Sequence, residues 1–524
     1  MNKNLFYIIS VITLIIILLS FSFLKNEQVE RDLELFSAFY RTLNEHYVDS
    51  IHSDKLIKRV IDETLKSLDP YTVFYDAEQT KVREKTWAGI QYAGIGASIQ
   101  QFDSLVYITE LMDGYPAQLA GLQIGDAFIK VNDTLVTGKD MASIRSMLIG
   151  EKETPLKVDV KRNNNYLSFN LIRKEVISPA VDIAYVDYDG TGYIRLNHFL
   201  RNSSKLFKQE FEKLKQNNLK RLIIDLRWNS GGIVDEAVAI LGNFLPAKTE
   251  VCYLRGYHKD SNYSYYTENV HGDTLLPITL FISNQTISAG EIFAGALQDL
   301  DRAQIIGERS YGKGFVQGTR FPGFGTSLYV TAARYYTPSG RCLQERKFAS
   351  DITTTSYYND SLKIFYTHSG KIAKANGGIE PDILYKNKSK LNLKQIFAEK
   401  EMFFYLNAIY AKSLNVNDSA LFIQKEADKI LKYLSLNLRL INHPADYELK
   451  RFEEKMKDII SKEVYQKELN ALQQKINQEK LKMLVNDKVK IKMELLAQII
   501  KRKYGKRQEE MFRIKNDEIF KTIK

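Results

Sequence analysis

The sequence predicts a mixed α/β core that carries an embedded β-rich module, with a helical segment before the two and a helical extension after them. Three changes of pattern predict it. Residues 86–175 hold short alternating or apolar runs (GIGASIQQ, LVYITEL, AFIKVNDTLV, PLKVDVKR) separated by turn residues. From Val176 to about Tyr385, apolar strands such as LIIDL and ITLFIS alternate with helical stretches, the pattern of helices packed on a sheet. From Leu391 strong helix formers dominate, and beyond Pro444 there is no further proline and a single glycine, Gly505. At 524 residues the chain has room for two to four domains.

The elements follow in chain order. Residues 1–25 form a membrane signal: Leu5 to Leu24 is a run of twenty uncharged residues between Lys3 and Lys25, long enough to span a bilayer as a helix. An uncleaved anchor and a removed signal peptide both fit, and no A-x-A cleavage pattern or lipid-accepting cysteine decides between them. Either way the remainder is expected outside the cytoplasm, on the periplasmic side, held by residues 5–24 or released.

Residues 30–85 read as a small helical segment, with Leu33, Leu35, Phe36, Phe39, Tyr40 and Leu43 at helical spacing and a turn at Leu68-Asp69-Pro70-Tyr71. The β-rich module is 86–175, with one helix at 140–149. The core is 176–390, with helices expected at 203–217, 233–244 and 288–299 and strands at 222–226, 278–283, 303–307 and 327–336. The extension is 391–524, with long amphipathic helices from 445.

Composition excludes several classes. Two cysteines, Cys252 and Cys342, are too few for a disulfide-built scaffold, and the sequence does not say whether they pair. Seven scattered histidines without HxxxH or HxH spacing, and no CxxC, give no metal site and no cofactor. The net charge of +11 is concentrated in residues 451–524, where 20 Lys+Arg face 12 Asp+Glu. The excess therefore belongs to the tail, and no nucleic-acid groove is expected on the body of the protein. The tail reads as a packing arm or solvated helices. Self-association, and contact of Lys501, Arg502, Lys503, Lys506 and Arg507 with anionic lipid, are the alternatives.

Candidate chemistry begins at Asn284-Gln285-Thr286-Ile287-Ser288-Ala289-Gly290-Glu291, which leaves an apolar strand and enters a helix. A serine at such a turn is exposed at the end of a sheet, with the Ala289 N–H and the positive end of the helix dipole behind it. Those are the requirements of an acyl-transfer nucleophile and its oxyanion donor. Ser288 and Glu291 also make an S-x-x-E capping box, which needs no catalysis.

Downstream, Gly307 to Gly314 resembles a phosphate loop, but Gly314 replaces the hydroxyl residue and a strand, not a helix, is expected next. Lys313 within it is a candidate general base. To be neutral near pH 7 its ammonium must be destabilised by about 4 kcal/mol, which burial beside Tyr311 and Phe315 supplies. Gln317, expected on the same strand face as Lys313, orients the amine without recharging it. Gly231 and Gly232, in Asp225-Leu226-Arg227-Trp228-Asn229-Ser230-Gly231-Gly232, are further oxyanion candidates, since backbone N–H groups approach a ligand closely where no Cβ intervenes; an ordinary strand-to-helix turn reads the same way.

Together these segments resemble the C-terminal processing (tail-specific) peptidases, a serine–lysine family with an embedded PDZ domain. The motifs S-A-x-E-I-x-A-G-A-L-Q-D from Ser288 to Asp299, G-K-G-x-V-Q from Gly312 to Gln317, D-L-R-x-N-x-G-G from Asp225 to Gly232, Y-Y-T-P-S-G-R from Tyr335 to Arg341 and G-G-I-x-P-D from Gly377 to Asp382 carry the resemblance in order. The family often has S-A-S-A-S-E where this chain has T-I-S-A-G-E. The resemblance implies Ser288 as nucleophile, Lys313 as base, Gln317 as its partner, Ala289 with the Gly231 and Gly232 amides as oxyanion hole, and a supporting place for Asp299.

It also identifies module 86–175 as a PDZ domain, with Gly94, Ile95, Gly96 and Ala97 as the loop that binds a terminal carboxylate and Pro116 to Asp126 as its short helix and turn. The implied function is an endopeptidase that recognises protein substrates by exposed apolar C-termini and cuts near them. A non-catalytic PDZ adaptor is the alternative. A second copy of the chain in a homo-oligomer, or an accessory protein that opens the site, is the further partner that the resemblance implies.

Overall fold

The computed structural model describes residues 27–87, 90–268, 272–344, 364–374, 377–385, 399–413, 419–457, 459–521 and 523. The apolar run 5–24 lies outside them. Among the described residues no helix is long and apolar enough to cross a membrane. The described residues form two compact units, one of 27–76 and 317–331, the other of the remaining described residues.

In the first unit, a helix over 27–46 is followed by Ser53–Lys66 and the strand Val73–Tyr75, which pairs antiparallel with Ser327–Tyr329. Between that helix and strand, the Asp69 carboxylate accepts the backbone N–H groups of Tyr71 and Thr72, an Asx-type turn.

The second unit holds the β-rich module, the core sheet and the helical extension. Its β-rich module is a sheet in the order Ala97–Phe102, Leu105–Leu111, Ala127–Val131, Pro155–Arg162, Asn165–Ile172, with Thr134–Leu135 added to the third. Phe128, Val158, Val160 and Ile108 close its core with Ile144 of the helix Met141–Leu148. Ile90–Gly94 and Lys174–Ile177, where the chain enters and leaves, pair with each other and pin the two ends together. A module closed in that way sits in the middle of a longer chain without interrupting it.

The core sheet contains β1 (Val181–Val186), β2 (Thr191–Leu196), β3 (Arg221–Asp225), β4 (Ile278–Ile282), β5 (Gln304–Gly307) and β6 (Ile383–Leu384), side by side in that order. β1 and β2 are antiparallel and every later pair is parallel. Helices α1 (Ser203–Lys215), α2 (Val234–Leu241) and α3 (Ala289–Asp299) connect β2 to β3, β3 to β4 and β4 to β5. Parallel crossovers are right-handed, so strands laid down in one direction place all three helices on one face. Side chains accordingly alternate. Leu222, Ile224, Leu280 and Ile282 pack with α1 to α3, whereas Ile223 and Phe281 face the other way.

That second face is covered by the end of the chain. The extension is a series of helices, Glu399–Ser413, Ser419–Leu436, Pro444–Met456, Lys462–Asn486, Lys488–Tyr504, Lys506–Lys515 and Glu518–Lys521. Ile430, Leu434, Ile491, Leu495 and Ile499 give it a core of its own. Ile514, Ile519 and Phe520 then join Ile183, Tyr193, Ile223, Phe281 and Ile306 on the sheet. Gly505, at φ +87, breaks the helix between Tyr504 and Lys506.

Of the basic residues for which lipid contact is the alternative, three are engaged within the protein. Lys501 and Lys506 both pair with Glu110 of the β-rich module at 2.7 Å, and Arg502 donates to Asn407 with its guanidinium over Phe403. The extension is thus a packing arm that touches both the module and the core.

Candidate active site

Strand β4 ends at Ile282, and the turn that follows is held by its own backbone and by β3. Thr286 Oγ1 donates to the Leu226 carbonyl, and the Ile287 N–H donates to the Asn229 carbonyl at 2.9 Å. These bonds force Ser288 into φ 57, ψ −117, a conformation that a side chain adopts only under constraint. Ser288 is half-buried at the N-terminus of α3. Among the described residues the Ala289 N–H, first in the helix, has no hydrogen-bond partner, as expected of a helix N-terminus.

Glu291 is the centre of the arrangement. It is fully buried, and its carboxylate accepts four hydrogen bonds: Ser288 N–H and Lys313 N–H on Oε2, both at 2.9 Å, and Ser310 Oγ and Gly312 N–H on Oε1, at 2.7 and 2.6 Å. Burial pushes its carboxyl up to about 7, against the pull of those four donors. Because one oxygen takes the backbone N–H of both Ser288 and Lys313, the two backbones lie no further apart than twice that bond length. The sequence reading gave Glu291 a capping role, which it has through Ser288 N–H. The capping motif carries no sign that the same carboxylate also ties down the segment bearing Lys313.

That segment departs from expectation. Lys313 is not on a strand: the strand is Phe315–Gly323, and residues 309–314 are irregular, with Gly312 at φ +87. The N–H groups of Gly312 and Lys313 go to Glu291 instead of a ladder. Ser310 Oγ also accepts the Ile379 N–H at 2.6 Å, which draws the G-G-I-x-P-D motif to the same centre. Gln317 belongs to the first unit, where its Nε2 donates to Thr331 Oγ1 at 3.3 Å.

The glycine pair divides its work. Asn229, fully buried, donates to the Leu196 carbonyl and accepts the Gly231 N–H on Oδ1 at 2.8 Å. The Gly231 proton is therefore committed within the protein and is not presented to an oxyanion. What Gly231 supplies is clearance: at φ +91, an added Cβ would lie 2.6 Å from the Ile287 carbonyl and 2.9 Å from Ser288 Cβ. Gly232, at φ +139, would meet the Phe199 carbonyl at 2.1 Å, and its N–H has no partner among the described residues.

Asp299 is at the far end of α3, buried against Arg341 at 2.6 Å and accepting the Ser339 N–H. It anchors the Y-Y-T-P-S-G-R motif, and no described bond joins it to Ser288.

In the β-rich module, Ala97 begins the sheet's first strand, which among the described residues pairs on one side only, and the helix Met141–Leu148 packs near it. Gly94 closes the entry strand opposite Lys174. The Ile95 side chain is buried, and its carbonyl accepts the Ala117 N–H. Gly96, at φ +72, passes so close to Tyr115 that a Cβ would lie 2.3 Å away.

A cavity of about 650 Å3 opens at the carboxyl ends of β3, β4 and β5, lined by Arg227, Trp228, Asn284, Gln285 and Glu308 with tail residues; Ser288 is not in its wall. No cluster of His, Cys, Asp or Glu suited to a metal ion occurs among the described residues.

Comparison with known proteins matches residues 190–354 to peptidase family S41 and residues 107–162 to the PDZ domain. A probable CtpA-like serine protease of Staphylococcus aureus strain N315 is 31% identical over 346 residues, 65% of this chain and 68% of that protein. Its counterpart in Staphylococcus epidermidis is 28% identical over 86% of this chain and 81% of its own length. The solved photosystem II D1 C-terminal processing protease aligns at 23% identity and a TM-score of 0.35, over 68% of this chain and 93% of that one. With the S41 match falling on the Ser288 and Lys313 segments and the PDZ match on the β-rich module, the chain belongs to peptidase family S41, as a serine peptidase with an embedded PDZ domain.

Proposed function

We propose that the protein is an endopeptidase that captures the C-terminus of a protein substrate in its PDZ domain and cuts near that end through a Ser288–Lys313 acyl-enzyme. The carrying observation is the shared Glu291 oxygen, which fixes the backbone of the serine to the backbone of the lysine. In the reaction the neutral Lys313 amine takes the Ser288 hydroxyl proton as Oγ bonds to the scissile carbonyl carbon. The tetrahedral oxyanion receives the N–H groups of Ala289 and Gly232 at the positive end of α3.

As the C–N bond breaks, Lys313 returns the proton to the leaving amine, and water then attacks the ester by the same route. Gln317, four residues along the chain, orients the amine as a neutral group. No metal or cofactor takes part in these steps.

The side of Ala97–Phe102 that no described strand pairs supports capture by strand addition, with the backbone around Gly94, Ile95, Gly96 and Ala97 receiving the terminal carboxylate. Residues 5–24 place the enzyme outside the cytoplasm, as an anchor or a leader.

The test uses the full chain, its Ser288→Ala and Lys313→Ala variants, and a reporter protein with an apolar C-terminal tail, read by intact mass. Cleavage by the parent alone supports the reading. Tail binding without cleavage by any of the three leaves the PDZ adaptor, and cleavage by Lys313→Ala removes the lysine from the mechanism.

A further inference from the structure

The cavity at the carboxyl ends of β3, β4 and β5 has no part in the steps above. Its volume of about 650 Å3 is that of a ligand pocket, and every residue of its wall belongs to the second unit. It also lies where open α/β sheets receive ligands, outside the carboxyl ends of parallel strands.

The core side of the wall is made of the first residues of the three loops that carry the chemistry. Arg227 and Trp228 follow β3 and lead to Gly232, Asn284 and Gln285 follow β4 and lead to Ser288, and Gly307 and Glu308 end β5 and lead to Lys313. These strand ends are joined side by side. Ser283 Oγ donates to the Arg227 carbonyl, the Glu308 N–H to the Ile282 carbonyl at 3.2 Å, and the Tyr385 N–H to the Gly307 carbonyl at 2.8 Å. Three residues separate Gln285 from Ser288, so their Cα atoms are at most about 11 Å apart. A substrate chain laid across Ser288 therefore brings a residue about two to four positions from the scissile bond to this cavity.

Charge decides what enters. Among the described residues the wall holds three cations, and each is already matched: Arg227 by Asp517 at 2.5 Å, Arg513 by Glu494, and Lys490 by Asp487 at 3.6 Å. It holds four acids, and only Asp517 and Glu494 are among those partners. Of the other two, Glu518 accepts the Tyr385 hydroxyl at 2.7 Å, and the Glu308 carboxylate has no partner among the described residues. Both belong to the end of β5, Glu308 as the residue after Gly307 and Glu518 through Tyr385, whose N–H sits on the Gly307 carbonyl. An anion entering the cavity meets cations that are all taken, whereas a cation meets two carboxylates that no cation has neutralised.

The rest of the wall suits a long stem. Trp228 keeps 59% of its surface exposed, and the tail adds Met493 and Phe512. Methylenes of a basic side chain cover such surface while the charged head goes on to an acid, and an indole face attracts the cation as well.

We infer that this cavity is a specificity subsite for a lysine or arginine side chain of the substrate, with the head at Glu308 and Glu518 and the stem along Trp228. The inference rests on the peptidase reading above and deepens it: the PDZ domain selects the chain by its end, and the cavity selects the bond by a basic residue beside it. Since tail residues make part of the wall, the preference depends on the extension staying in place.

The experiment uses the full chain and the reporter protein with an apolar C-terminal tail. Once intact mass has located the cut bond, each of about four positions on either side is set in turn to Ala, Lys or Glu, and kcat/KM is measured for the same bond. The readout is the Lys-to-Ala ratio within each enzyme variant, from which any general change in activity cancels. Labelling of Ser288 by a fluorophosphonate, in which the serine oxygen bonds to phosphorus and fluoride leaves, reports the nucleophile without a substrate. Lys is expected to exceed Ala about 10-fold at one position, the order of a hydrogen bond to a charged group, with Glu below Ala there. Glu308→Gln should bring the ratio close to unity, Glu308→Lys should make Glu the preferred residue at that position, and Trp228→Ala should lower the ratio, with thermal melts checking each fold.

A parent that cuts reporters with Lys no better than Ala at every position overturns the subsite alone. So does a Lys preference that both Glu308 variants leave unchanged, because it then arises elsewhere. A parent that cuts no reporter overturns the subsite, and one that is also not labelled at Ser288 overturns the peptidase reading with it.

Discussion

One face of the core sheet is covered by α1, α2 and α3, each of which lies in the connection between one strand of that sheet and the next. The other is covered by Ile514, Ile519 and Phe520 from the far end of the chain, fastened by Arg195 to Glu510, Arg227 to Asp517 and the Tyr385 hydroxyl to Glu518. The first cover cannot be removed without removing the fold, because its helices are the connections between the strands. The second is an addition to a sheet that is already connected. The nucleophile turn belongs to the first, at the head of α3. This difference predicts that damage to the first face reaches both stability and activity, and that damage to the second releases the tail and spares the chemistry.

The largest effect is expected from Phe293→Ala in α3. Phe293 is fully buried and packs on the ring of Phe199 at 5.9 Å. Loss of about 3–5 kcal/mol in urea unfolding, with loss of Ser288 labelling, is expected; an unchanged midpoint would break the comparison on its stronger side.

The second effect, about 3 kcal/mol, separates the faces by pH. Glu291 on α3 has its carboxyl raised to about 7 from 4.5, chiefly by burial. The native state holds that proton where the unfolded chain has lost it, so the stability it confers is complete below pH 4.5 and is lost as the pH rises through 7. Asp225 has the opposite sign. It lies on the second face beneath the Tyr193 hydroxyl, and burial raises its carboxyl, but Arg227 outweighs burial and holds it below the ordinary range. Its contribution is present at neutral pH and lost on acidification. Urea midpoints across pH for the parent, Glu291→Gln and Asp225→Asn should show the rising-pH loss abolished only in the first variant and the acid loss reduced only in the second.

Phe520→Ala, on the second face, removes a ring as deeply buried as Phe293, yet should cost only about 1–2 kcal/mol. The terminal helix can release locally, which caps the loss below the usual figure for such a truncation. Limited proteolysis should begin at the tail while labelling of Ser288 continues; a cost equal to that of Phe293→Ala would erase the distinction between the faces. Asp517→Asn should do least, about 1 kcal/mol or less, because Arg227 keeps Asp225 as its partner and the lost pair is partly solvated. Faster tail cleavage with an unchanged urea midpoint is the expected result.

Much of the first face was legible because its signals are local. The apolar runs at 222–226 and 278–283, the S-x-x-E start at Ser288 and the glycine pair after Asp225 each mark an element within a few residues, and the elements formed close to those places. The site was legible in its residue types and not in its bonds. That Asn229 takes the Gly231 proton, that Lys313 precedes its strand, and that Glu291 serves both Ser288 and Lys313 depend on atoms from separate segments meeting. No periodicity in any one of the segments encodes that meeting.

The sequence by itself determined which segments are strands and helices, the motifs they carry and the placement of excess positive charge in the tail, because propensity, period and capping act over a few residues. Only the tertiary structure decided that the strands stand in chain order with every crossover helix on one side. That order leaves a second apolar face, and the tail's Ile514, Ile519 and Phe520 cover it. The same distinction holds for charge. A lysine's number is in the sequence, but that Lys501 and Lys506 close on Glu110 was set by where packing brought the three chains of atoms together.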